Sequence, residues 1–311
     1  MENFVIIDIG SNSVRMAIYC IDPDGSYHEI KRVKNDTRLS EGIGQNNILQ
    51  ITAMNRTISA LRSFKSEYSK YKNVVVRAIA TAAVRQAQNQ KDFLKNVYKQ
   101  LHIKVRVLTG KEEAYYDYLG ISDRLAVKDY LLMDVGGASV EIIHVRNQKC
   151  IHCVSVPIGA VKISEQFHLI DHITAANLFE AESYIAEVYS RIPWIKKPLH
   201  YPIVLIGGAA RAIARINRRY QHLSHVDHIQ NFQLTRKQVN VTVETFLNRN
   251  LAERQKINGL ENDRADVIIG GSLCLTVMMN FIDSKRVIFS NGGVREGLIN
   301  EYIENNPHFR K

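Results

Sequence analysis

The chain has 311 residues, 45% of them hydrophobic, and 41 Lys and Arg against 31 Asp and Glu leave +10 at pH 7. That length supports two domains with separate cores, and no apolar run is long enough for a membrane-spanning helix. The basic balance favours an anionic partner, and four cysteines in a chain this long exclude a disulfide framework.

Residues 4–10 and 14–20 read as a β-hairpin, and His28–Val33 as a third strand. Apolar residues at Ile51, Met54, Ile58, Leu61 and Phe64 predict a helix within 47–71. A strand at Val74–Ala80, one helix from Ala82 through Leu101, a strand at Val105–Leu108 and a helix over Lys111–Leu119 complete a β-β-β-α-β-α-β-α half. The second half opens the same way, with strands at 130–135, 139–146 and 149–156. A helix with Leu178, Ala181, Ile185, Val188 and Ile192 on one face follows, punctuated by Pro193 and Pro198. Then come a strand at Ile203–Ile206, a helix opened by Gly207-Gly208, and a helix carrying Val239, Val243, Phe246 and Leu251. A buried helix at Ala265–Met279, a strand at Val287–Ser290 and a last helix at Arg295–Ile303 end the pattern.

No linker is rich in Pro, Gly or Ser, and the boundary is expected near Ser122–Val127. The expected domains are 1–123 and 124–295, with the C-terminal helix 296–311 packing back on the first. Mixed sheets flanked by helices, built twice, predict an α/β protein with a ligand cleft between its halves. The N-terminus enters a strand pattern at once, without a signal-peptide profile, so a cytoplasmic location is expected.

The chemistry starts from a duplication. FVIIDIGSNSVRMAIY and YLLMDVGGASVEIIHV superpose with Asp8 on Asp134, Gly10 on Gly136, Ser13 on Ser139 and Val14 on Val140. Gly10, Ser11, Asn12 and Ser13 can offer backbone amides to a phosphate oxygen, as can Gly136, Gly137, Ala138 and Ser139. Asp8 and Asp134 end apolar strands, where a carboxylate is costly unless paired or metal-bound. Strand alternation puts Arg15 on the face of Ser13, and Glu141 on the face of Ser139. In ATAAVR, Thr81 is expected to cap a helix whose first turn holds Arg85, placing a cation where an anionic ligand would compensate it. In TGKEEA, a strand leads to a helix opening on Glu112 and Glu113, and a carboxylate delivered there can activate water. Gly207-Gly208 places helix N-terminal amides after a buried strand, as a phosphate would require.

Other features carry less. Cys150-Ile-His-Cys153 has no second pair to complete a zinc site and reads as two buried thiols. His222, His225 and His228 read as exposed loop residues. No P-loop or G-x-G-x-x-G follows a strand, and no nucleic-acid-binding motif appears, so specific nucleic-acid recognition is not expected.

In order along the chain, DIGSNSVR, ATAAVR, TGKEEA, DVGGASVE, VSVPIGAVKISE, IGGAARA and SNGGVREGLI resemble the exopolyphosphatase/guanosine pentaphosphate phosphohydrolase (Ppx/GppA) phosphatase family. The resemblance covers essentially the whole chain, in the short two-domain form. It implies two duplicated ribonuclease-H-like domains of the actin-like ATPase superfamily. The implied reaction is release of terminal orthophosphate from inorganic polyphosphate, or of the terminal phosphate of guanosine pentaphosphate. It further implies magnesium, with manganese as the alternative, potassium as an activator, and a homodimer. By the family's motifs Glu113 maps as the catalytic carboxylate. Glu141 maps as water-orienting and metal-binding, Asp8 and Asp134 as metal ligands, and Arg15 and Arg85 as phosphate contacts. Ala138 and Val140 stand where the family usually has Gly and Thr, and Ala209 where it has Thr, so one hydroxyl is expected to be lost at Val140 and one at Ala209. Two other readings stay open: a phosphatase for another phosphorylated metabolite, and a non-catalytic regulator that binds polyphosphate or nucleotide.

Overall fold

Two sheets with one strand plan organise the chain. They are seen in a computed structural model that describes residues 1–44 and 46–309; residues 310 and 311 of the predicted C-terminal segment lie outside the described residues. The chain divides into two compact units, Met1–Glu113 with Arg295–Lys311, and Ala114–Val294. Sequence placed the boundary at Ser122–Val127; the division by compactness falls inside a helix, directly after Glu113.

The first unit contains β1 (Glu2–Ile9), β2 (Val14–Ile21), β3 (Tyr27–Asn35), α1 (Ile51–Tyr68), β4 (Val74–Ala80), α2 (Ala82–Gln86), α3 (Gln90–Leu101) and β5 (Val105–Val107). Its sheet order is β3-β2-β1-β4-β5, with β1 antiparallel to β2 and parallel to β4. Alternation sends Val5, Ile7, Ile9, Val14, Met16 and Ile18 to one face, where they pack with Leu61, Phe64, Phe93 and Val97. The predicted single helix 82–101 is broken. Ala87 is extended (φ −71°, ψ 131°), and the Asn89 side chain bonds both the N–H and the carbonyl of Leu49, at 3.0 and 2.9 Å. A loop contact thus outcompetes helix propagation.

The helix α4 (Gly110–Ile121) leads into the second unit. There follow β6 (Tyr130–Val135), β7 (Val140–Arg146), β8 (Lys149–Val156), α5 (Ala160–Gln166), α6 (Ala175–Ser190), β9 (Ile203–Ile206) and α7 (Gly207–Tyr220). Next are β10 (Gln233–Thr235), α8 (Arg236–Leu247), α9 (Leu251–Arg254), α10 (Ile268–Phe281) and β11 (Arg286–Phe289), and then α11 (Val294–Glu304), which from Arg295 on belongs to the first unit. The sheet order β10-β11-β9-β6-β7-β8 repeats the first plan, with β10 as an antiparallel addition at the edge. Both sheets therefore follow the ribonuclease-H-like order, and the fold is α/β with two mixed sheets.

Sequence reading missed α5, β10 and α9, all too short to show a period. It also ran the helix of Val239 on to Leu251. Asn250 instead starts a new helix, its side chain accepting from the Glu253 N–H while the Glu253 carboxylate accepts from the Asn250 N–H. Cys150 and Cys153 are half-buried rather than buried, because β8 is an edge strand. On the first unit's other sheet face, Tyr302 of α11 stacks on Phe4 with ring centroids 4.2 Å apart. Among the described residues no helix is long and apolar enough to cross a membrane.

Candidate active site

Both Asp-x-Gly turns use one device. In the first, the Gly10 N–H donates to the Ser13 carbonyl at 3.1 Å, and a Cβ on Gly10 would stand 3.0 Å from that oxygen. The carbonyls of Ser11 and Asn12 accept from the Ser40 and Arg38 N–H groups at 3.0 and 2.9 Å. A trans peptide points its oxygen and the next N–H in opposite directions, so the Asn12 and Ser13 amides face away from that segment. In the second turn, the Gly136 N–H donates to the Ser139 carbonyl at 3.0 Å. The carbonyls of Gly136 and Gly137 accept from Ala160 and Val161 N–H at 2.9 and 3.0 Å, which turns the Gly137 and Ala138 amides outward. A Cβ on Gly159 would lie 2.6 Å from the Gly137 carbonyl, so only glycine lets this supporting segment approach.

Asp8 is the cross-strand partner of Arg15, and Asp134 of Glu141. The packing around the partly exposed Asp8 pushes its carboxyl above the usual range by desolvation, against the pull of Arg15 and Arg295. A carboxyl raised in the folded state favours folding below its unfolded value, and that advantage is lost as pH rises through the folded value. Asp8→Asn is therefore expected to stabilise the metal-free protein by about 0.5–2 kcal/mol at neutral pH. The gain should vanish below about pH 4; thermal melts of both proteins across pH check this, and equal stability at pH 7 would contradict it.

Arg85 and Glu113 form an ion pair within the first unit, Nη1 to Oε2 at 2.6 Å, while the same Nη1 also donates to the Leu108 carbonyl at 3.0 Å. Glu113 is 7% exposed. The neighbouring Glu112 is committed elsewhere: it accepts from the Thr109 N–H and hydroxyl at 2.8 Å each, and these bonds lower its carboxyl. Thr81 occupies the N-cap position of α2 but makes no capping bond, correcting the expectation. Its ψ of −146° departs from the extended geometry from which a hydroxyl reaches the second or third amide.

In the second unit Glu141 is 1% exposed, and its Oε1 accepts the hydroxyls of Ser139 and Ser155 at 2.8 and 2.7 Å. Ser139 and Glu141 do share a face. Gly207 has φ +91°, and a Cβ there would fall 2.3 Å from Asp134 Oδ1. A Cβ on Gly208 would fall 1.9 Å from Nη1 of Arg264, whose guanidinium lies over the start of α7. Helix amides, an aspartate and a buried arginine thus meet at one glycine pair. Sequence reading missed Arg264, which follows no periodic or motif signal. It also missed the buried Arg295, whose Nη1 has no hydrogen-bond partner. Nor did it assign Ser40, Ser155 or Gly159, whose roles come from distant segments.

The departures at Val140 and Ala209 read differently in three dimensions. Val140 is fully buried in the core, on the opposite strand face from Ser139 and Glu141, and Ala209 is also packed in the core. The methyl at Val140 therefore removes no hydroxyl from the face of Glu141.

Among the described residues no group of three or more His, Cys, Asp or Glu is arranged to hold a metal ion. The donors at the second turn, two carboxylates and a serine hydroxyl, are hard oxygens that suit magnesium, which usually takes one or two carboxylates and completes its shell with water and phosphate.

Two units with the same ribonuclease-H-like strand order each carry an Asp-x-Gly turn whose amides face outward. Residues 17–306 match the Ppx/GppA phosphatase family. The chain is 29% identical over 314 residues to the bifunctional 3-dehydroquinate synthase/phosphatase of Fusobacterium nucleatum, covering 96% of this chain and 46% of that protein. It thus spans about half the length of that relative. It is 26% identical to a Haemophilus influenzae protein named "Putative exopolyphosphatase", over 96% of this chain and 91% of the other. The crystal structure of the Aquifex aeolicus family member is 27% identical, with TM-score 0.79 over 98% of this chain and 99% of that one. An exopolyphosphatase from Cytophaga hutchinsonii shares the fold with TM-score 0.90 at 22% identity, over 97% and 98% of the two chains. The chain belongs to the Ppx/GppA phosphatase family.

Proposed function

We propose that this phosphatase removes terminal orthophosphate from inorganic polyphosphate by attack of water. The observation that carries the reading is Glu113, a carboxylate almost withdrawn from solvent and held in one orientation by Arg85. The name of the Haemophilus relative supports the substrate class.

Glu113 orients the water and takes its proton; the water oxygen bonds to the terminal phosphorus, the bridging P–O bond breaks, and the shortened chain leaves with the bridging oxygen. Arg15, Arg85 and the outward amides of Asn12 and Ser13 neutralise charge on the transferring group. In the second unit the Gly137 and Ala138 amides, Ser139 and the Gly207-Gly208 amides hold phosphate oxygens, and Glu141 keeps Ser139 aimed; in the first unit Thr81 has the same role. Magnesium would be held in the second unit by Asp134 and Glu141 and, when bound, would supply charge neutralisation; Asp8 is proposed as the metal ligand of the first unit's turn. Potassium activation and a homodimer belong to the same proposal.

Orthophosphate release from long-chain polyphosphate and from guanosine pentaphosphate, each with magnesium and potassium, tests the reading. Preferential release from polyphosphate is expected. Release only from guanosine pentaphosphate would transfer the assignment to that substrate. Binding without release from either would make the protein a regulator.

A further inference from the structure

A second basic site lies in the second unit, at the far end of α7 from the Gly207-Gly208 turn. The helix has 14 residues, which separates the two ends by about 20 Å. Here Arg219, Tyr220, Asn248, Arg249, Glu253 and Lys256 line a groove of about 910 Å³. That is a ligand-sized volume.

Its positive charge is only partly offset. Among the described residues Arg219 and Lys256 have no ion-pair partner, and Arg249 Nη1 donates only to the Thr245 carbonyl. The one lining carboxylate, Glu253, is spent on capping α9, accepting the Asn250 N–H at 2.9 Å. The C-termini of α7 and α8 each contribute about half a negative charge, which leaves the groove net positive.

The walls are also fixed before any ligand arrives. Arg254, fully buried and next in sequence to the lining residue Glu253, donates to the carbonyls of Arg249 and Ala265 and so locks α9 in place. Gly259, at φ +104°, lets the following turn close on α7, where a Cβ would stand 3.1 Å from the Ile216 nitrogen. Tyr220, 63% exposed, adds an aromatic face to the rim.

We propose that this groove is a separate binding site for an oligophosphate anion, carried by an inorganic chain or by a nucleotide. It rests on the groove alone and not on hydrolysis.

Calorimetric titration of the full chain in a Glu113→Gln background, with inorganic tripolyphosphate and with guanosine triphosphate, tests it. The Arg219→Gln/Lys256→Gln double variant should lose one class of sites, weakened about tenfold or more. That class should survive in Arg15→Gln, and the double variant should melt like its parent because both side chains are exposed. Tyr220→Ala distinguishes the sources: weaker nucleotide binding alone identifies a nucleotide, and an unchanged titration identifies the inorganic chain. Double-variant titrations that match the parent with both probes would overturn the proposal. So would a groove whose cations matter only for single-stranded nucleic acid.

Discussion

Glu113→Gln is expected to lower phosphate release by about 10²–10⁴-fold, the usual contribution of a positioned proton acceptor. The amide carbonyl can still accept from Arg85 Nη1, now 2.6 Å from the carboxylate, so orientation survives while basicity is lost. The effect should therefore appear in kcat with KM nearly unchanged and only a small shift in melting temperature. Steady-state kinetics beside a thermal melt separate these quantities. A variant within about tenfold of wild type, well folded, would remove Glu113 from the chemistry. Glu112→Gln is the internal comparison: its carboxylate caps α4, so it should leave kcat alone.

The largest expected loss of stability is at Arg254. Its side chain is fully buried and donates to four carbonyls: Ala265 at 3.0 Å, Asp171 at 3.2 Å, Arg249 at 2.5 Å, and Ile170. Removing it strands those oxygens away from water and opens a cavity. Arg254→Ala should cost about 3–5 kcal/mol, seen as a fall of roughly 10 °C in the melting of the second unit. Arg254→Lys should recover only part of this, because one ammonium cannot reach carbonyls on both sides as a planar fork does. A loss below about 1 kcal/mol for the alanine variant would mean that water replaces the guanidinium.

What local sequence determines here is what repeats locally. The strand–turn–strand units around Asp8 and Asp134 were legible because alternation has a period of two and the turn residues are small. The shared faces of Ser139 and Glu141 followed from the same parity, and the strands before Gly207 and Thr81 from their apolar runs. Family membership was legible because seven short motifs keep one order over nearly the whole chain.

Tertiary structure decided whatever depends on partners distant in sequence. Arg85 and Glu113 are 28 positions apart, and nothing in either motif announces their ion pair. Asn89 breaks a helix because Leu49 is there to be bonded. Arg264 comes to lie over Gly208 from a short 3-10 turn, and Ser40 and Ala160 hold the carbonyls that aim the two turns. Hydrophobic period and turn chemistry act within a few residues, so they write themselves into local sequence. Hydrogen bonds and desolvation act through space, and their partners exist only once the chain has folded.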